Sequence, residues 1–129
     1  VQASAVIYVK DLGRMRAFYE RCFGLAARHV AADSCVLESA AWQLSLVVVP
    51  EAIAAEIAIT TPPRRRESGA VKLAFAVHEI SQIRAVAIEF GGLVDPDATL
   101  WELDGFVRCD GIDPEGNVFQ LLEPLAAGS

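Results

Sequence analysis

The sequence has little of what most catalytic signatures are made from. It holds two histidines, His29 and His78, and three cysteines, Cys22, Cys35 and Cys109. The histidines fall at a strand and at a helix start, with no spacing that pairs them as metal ligands or as a base, so they read as boundary residues. The cysteines are odd in number and far apart, which argues against a disulfide framework and for a reducing cytoplasm. No nucleophile motif surrounds them. Cys22 sits on an apolar helical stripe, where a free thiol behaves as a small hydrophobe, and Cys35 and Cys109 read as buried or pocket-lining.

Long apolar runs are also missing. Hydrophobic residues make up 53% of the chain, yet no run approaches the ~20 residues of a membrane span. No charged stretch leads into an apolar one as in a secretory signal. The expectation is a cytoplasmic protein without membrane contact. Positive charge is scarce, with 11 Lys and Arg against 17 Asp and Glu, a net charge of −6. That disfavours nucleic acid, whose binding rests on cations neutralising phosphates, and weakly suits a cationic ligand. One cationic run exists, Arg64 to Arg66. Two readings of it stay open, a solvated loop or a lid that steers an anion over a pocket.

What the chain does have is a repeat. "SAVIYVKDLGRMRAFYERCFGL" opens with strand-like residues 4–9. Asp11 then serves as N-cap; Leu12, Met15, Phe18, Tyr19 and Cys22 fall at helical spacing, and Gly24 is the stop. "KLAFAVHEISQIRAVAIEFGGL" repeats that order with strand residues 72–77, a stripe of Ile80, Ile83, Ala87 and Phe90, and the stop Gly91-Gly92. Because no strand precedes that glycine pair and no helix follows at once, it is no phosphate loop. Setting Val9 on Val77 gives an offset of 77 − 9 = 68, which also sets Arg16 on Arg84, Gly24 on Gly92 and Leu25 on Leu93 without gaps.

Each half continues with strands: "LAARHV", "SCVLES" and "WQLSLVVV" in the first; a short stretch near Leu93, "FVRCDGI" and "VFQLLE" in the second. Between them, "PEAIAAEIAI" could hold a short helix, "TTPPRRRESG" reads as an exposed linker and "VDPDATLWELDG" as an irregular stretch. The expected fold class is α+β: two βαβββ repeats, about 3–50 and about 70–124 with a linker about 51–69, forming a concave mixed sheet with helices on the outer face. A length of 129 residues suits a single domain over 1–129. The concave face is where a ligand would sit. By alternation, Ser4, Val6 and Tyr8 share it, as do Lys72, Ala74 and Ala76, and Val118, Gln120 and Leu122. Gln43 and Ser45 face either the cleft or the helices.

The stretch "DPEGNVFQLLE" couples a tight turn to an apolar strand in which Gln120 is the lone polar residue. This ending, with "VIYVKDLGRMRAFYERCFGL" and "LAFAVHEI", resembles the vicinal-oxygen-chelate superfamily, which includes glyoxalase I, bleomycin-resistance proteins, extradiol dioxygenases and fosfomycin-resistance enzymes. The resemblance spans essentially the whole chain. It implies that chelating members carry a His or Gln seven residues before the helix-capping Asp11, which here is Ser4, and a His five before Val77, which is Lys72. A carboxylate is implied four residues after Gly116, where Gln120 stands, and a fourth ligand position falls at Ser45 or Leu46. Serine, lysine and glutamine do not replace imidazole and carboxylate as a set. The expectation is therefore a member with no catalytic metal and no cofactor.

The segments that rim such clefts in the family hold Trp101, Phe106, Arg108 and Asp110. The candidate ligand-binding residues are then Ser4, Tyr8, Gln43, Ser45, Lys72, Trp101, Phe106, Arg108 and Gln120. The resemblance implies a homodimer with clefts formed across subunits. One function is a small-molecule binding protein of the bleomycin-resistance type, sequestering an antibiotic or metabolite. The alternative is a metal-independent lyase or isomerase using Lys72 as acid, base or anion anchor. Three roles are open to Lys72: pairing with a carboxylate such as Asp110 or Glu38, anchoring an anion, or acting as a neutral base.

Overall fold

A computed structural model describes residues 1 and 3–126. The first repeat runs β1 (Ala5–Val9), α1 (Leu12–Phe23), β2 (Ala26–Val30), β3 (Ser34–Glu38) and β4 (Gln43–Val48). After the one-turn helix α2 (Glu51–Ala54), the second runs β5 (Leu73–Ala76), α3 (Ile80–Glu89), β6 (Leu93–Val94), β7 (Trp101–Leu103), β8 (Phe106–Ile112) and β9 (Val118–Pro124). The offset read from the sequence is kept: β1 and β5 start 73 − 5 = 68 apart, and α1 and α3 start 80 − 12 = 68 apart.

Each repeat builds its own sheet, with strand orders β1-β4-β3-β2 and β5-β9-β8-β6. In both, the first strand pairs parallel with the last and is left at an edge. The stretch expected to be irregular instead contains a 3-10 turn, Asp97–Thr99, and then β7, which folds back on β8. Asp104, at φ 52, and Gly105, at φ 81, make that hairpin turn. The second repeat thus carries one strand more than the first.

The helices form where the apolar stripes place them. Asp11 caps α1 by accepting a hydrogen bond from the Arg14 amide at 3.1 Å. Met15, Phe18, Tyr19 and Cys22 are the buried face of α1. That face meets both repeats: Phe23 stacks on Phe75 with ring centroids 4.0 Å apart, and Phe18 lies 5.9 Å from Phe119. α1 is therefore the shared core of two sheets that, among the described residues, exchange no ladder hydrogen bonds. The stop glycines differ in use. Gly24 takes the left-handed conformation at φ 63, whereas in the second repeat Gly91 does so and Gly92 is needed for space. A Cβ on Gly92 would stand 2.4 Å from the Phe18 ring and 2.5 Å from the Ile112 carbonyl oxygen.

Two carboxylates tie the ends of the elements together. Glu115, in the turn before β9, accepts hydrogen bonds from the Lys10 and Asp11 amides at 2.7–2.9 Å. Glu123, in β9, accepts one from the Ile80 amide at 2.8 Å. Each satisfies amides at a strand-to-helix junction, the first across the repeats and the second within its own.

Candidate functional site

Alternation along the second sheet separates its two faces. Phe75, Cys109, Phe119 and Leu121 are buried against the helices. Their neighbours Ala74, Arg108, Asp110 and Gln120 therefore share the opposite, open face. Register fixes who meets whom: Gln120 lies between Ala74 and Asp110, and Arg108 lies between Leu122 and Trp101.

The polar side chains on that face form one chain. The Lys72 ammonium donates to Asp110 Oδ2 at 2.9 Å, with the lysine side chain 42% exposed and the aspartate 19%. Gln120 Nε2 donates to Asp110 Oδ1 at 3.4 Å. Arg108 donates to Gln120 Oε1 at 3.0 Å and to the Leu103 carbonyl at 3.1 Å, with its guanidinium 5.8 Å from the Phe106 ring centroid. Of the three roles open to Lys72, the structure gives it a carboxylate partner, and that partner is Asp110. Glu38 is instead beside Gln43 at 3.4 Å and Arg28 at 4.0 Å.

The first sheet presents a weaker counterpart. Leu44 and Leu46 are buried on the helix side, so Gln43 and Ser45 face outward with Val6 and Tyr8, the last 63% exposed. Ser45 is opposite Val6 as Gln120 is opposite Ala74, and 74 − 6 = 68, so Ser45 rather than Leu46 is the equivalent of Gln120. Ser4, Val6 and Tyr8 line a cavity of about 530 Å³ together with Val71, Leu73 and Val118. That cavity lies between the edge strands β1 and β5. The structure thus joins Lys72, Arg108 and Gln120 by hydrogen bonds. Trp101 and Phe106 stand beside Arg108 on the same face, while Ser4, Tyr8, Gln43 and Ser45 belong to the other sheet.

The metal positions that the sequence resemblance implies can be tested by donor chemistry. Lys72 and Arg108 bring two cations to the place of a cation's ligands, and the oxygen donors of Asp110 and Gln120 are turned towards them. Ser4 and Ser45 are neutral hydroxyls. This set does not fit a divalent ion. Among the described residues no three His, Cys, Asp or Glu side chains cluster as a metal cage.

Two groups of residues escape the sequence reading. The linker expected to be exposed packs in part: Arg65 and Arg66 are half-buried, and the Arg66 amide donates to the Gly116 carbonyl at 2.9 Å. Composition marked the segment as polar, but the turn at Gly116 gives it a docking place. The second is the buried carboxylate inside the turn that the sequence marks. Asp113 is fully buried and accepts from the Tyr19 hydroxyl at 2.7 Å, Asn117 Nδ2 at 2.9 Å, and the amides of Glu115 and Asn117. Burial pushes its carboxyl up, and those hydrogen bonds pull it part of the way back. The thiols offer no chemistry: all three cysteines are buried and free, and burial pushes Cys22 up to about 12.

No protein-family model matches the sequence, and no curated protein matches it. Solved structures do match. A glyoxalase/bleomycin resistance protein/dioxygenase family enzyme from Burkholderia phytofirmans superposes with a TM-score of 0.70 at 21% identity, covering 95% of this chain and 97% of that one. The fosfomycin resistance protein FosX from Listeria monocytogenes, complexed with Mn(II) and sulfate, gives 0.70 at 14% identity over 97% and 90%. A hypothetical protein from S. aureus, SA1046, gives 0.67 at 16% identity over 95% and 96%. The chain therefore has the fold of the glyoxalase/bleomycin-resistance structures.

Proposed function

We propose that this chain is one vicinal-oxygen-chelate unit that binds a small molecule without a catalytic metal, in the manner of a glyoxalase/bleomycin-resistance-type protein sequestering an antibiotic or metabolite. One observation carries this reading. Lys72, Asp110, Gln120 and Arg108 form a single hydrogen-bonded chain on the open face, at and beside the positions where chelating relatives hold their ligands. The chain fixes polar groups in place for a ligand and sets two cations, Lys72 and Arg108, on the oxygens a metal ion would need. Trp101 and Phe106 flank it as aromatic walls.

Lys72 already has a carboxylate partner, which supports a positioned binding group over the free amine that a metal-independent lyase or isomerase would require. A homodimer closing the open faces is part of the proposal, supported by the exposure of Val6, Tyr8, Trp101 and Leu103. Three free cysteines support a cytoplasmic location. No helix among the described residues is long and apolar enough to cross a membrane.

The test is a thermal-shift panel of antibiotics and metabolites, run with and without zinc, nickel, manganese and ferrous iron. The expected result is a stabilising compound whose effect needs no metal. Lys72→Met should weaken that compound about ten-fold or more while moving the melting temperature by only a few degrees. A stoichiometric metal site lost in Gln120→Ala would overturn the reading. So would a Lys72→Met protein that unfolds yet binds normally in its folded fraction.

A further inference from the structure

The run Arg64–Arg66 has no part in the reading above, yet the fold holds it firmly. Gly116 has φ +83, and a Cβ there would lie 2.0 Å from the Arg64 carbonyl oxygen, so the linker backbone rests directly on the turn. The Arg66 amide is bonded to that turn, and the Arg65 guanidinium is bonded to the Asp95 carboxylate. Arg65 is thereby neutralised. Arg66 is left half-buried on one wall of a cavity of about 500 Å³ that Lys72, Asp110, Asn117 and Val118 also line.

Among the described residues no carboxylate pairs with the Arg66 guanidinium. Of the cavity's two acidic residues, Asp110 is paired with Lys72, and Glu67 is exposed, where solvent screens it. Lys72 has three donors and one protein partner. A partly desolvated guanidinium without a counter-charge, beside an ammonium with donors to spare, is stabilised by an oxyanion.

We propose that this cavity binds the anionic group of the ligand, a phosphate or a carboxylate, with Arg66 as the fork and Lys72 as the second cation. The inter-repeat linker then sets the charge class of the ligand. This rests on Lys72 and Asp110 facing the ligand, but its test stands apart from the compound panel. Inorganic phosphate and acetate are titrated separately into the full chain at low ionic strength, following backbone amide resonances. The expected result is a saturable shift confined to residues 66–72 and 117–118 with one or both anions, the lower midpoint telling phosphate from carboxylate. Arg66→Gln should weaken it about five-fold or more, while Arg64→Gln, exposed and off the cavity wall, should leave it unchanged. No saturation with either anion up to about 50 mM would overturn the inference, as would equal weakening by both variants, which would mean diffuse attraction. If anions fail while a panel compound binds and Lys72→Met abolishes it, the linker inference falls and the binding reading stands. If anions bind through Arg66 while a metal occupies the strand positions, the reverse holds.

Discussion

Asp113 accepts four hydrogen bonds in a site from which water is excluded, and its partner Tyr19 comes from the other repeat. Removing one donor to a buried carboxylate costs more than an ordinary hydrogen bond. Tyr19→Phe should lower the unfolding free energy by about 1.5–3 kcal/mol in urea titration. The pH dependence follows from the raised carboxyl. A group whose folded value lies above its ordinary 3.8 binds its proton more tightly when folded. Its stabilising contribution is full below the unfolded value and is lost as pH rises through the folded one. The stability difference between wild type and Asp113→Asn should therefore shrink, or reverse in favour of the variant, as pH rises above about 4. A difference that grows with pH over that interval would mean the hydrogen bonds outweigh burial.

Among the elements, α1 and α3 show how one sequence pattern is put to two uses. Both end in glycine at equivalent positions, but Gly24 serves dihedral freedom and Gly92 serves closeness. Gly92→Ala would drive a methyl group into the Phe18 ring and a main-chain carbonyl, and the carbonyl cannot swing aside as a side chain can. The expected cost is about 1–3 kcal/mol, read as a lower urea midpoint with the slope unchanged. An unaltered midpoint would show that α3 shifts freely on the second sheet. The strands were legible from their alternation, including which face Phe119 and Leu121 take. β7 was not, because its three residues sit among acids, and hairpin pairing with β8 rather than burial makes them a strand.

Across the whole molecule, the two sheets are joined by packing rather than by a ladder. The stack of Phe23 on Phe75 and the contact of Phe18 with Phe119 bury α1 against the second repeat, where it also packs on α3, while β3 and β4 cover it in the first. Unfolding should therefore be cooperative across both. Trp42 lies in the first repeat, 5.4 Å from the Phe75 ring centroid, and Trp101 in the second. Single-tryptophan variants should report coincident denaturant midpoints. Phe75→Ala should lower both by the same amount, for a loss of about 3–5 kcal/mol. Midpoints that separate would mean that the repeats fold as independent units.

The amino-acid sequence by itself determined the repeat, its offset, the two helices and the faces of the long strands, because periodicity and capping are local properties. Alternation within their strands also turned Lys72 and Gln120 towards the cleft, whereas Arg108 entered only through the family resemblance and was put on their face by the β8–β9 register. Only the tertiary structure decided that Asp110, rather than Glu38, is the partner of Lys72, because the choice depends on β8 lying next to β9. It also decided that Ser45 matches Gln120, which follows from cross-strand register rather than chain spacing. The linker is the clearest case. Its composition says solvent, and nothing local in Arg64 to Arg66 says otherwise. The missing side chain of Gly116, fifty residues along the chain, leaves the space that the linker fills and so brings Arg66 to the cavity beside Lys72.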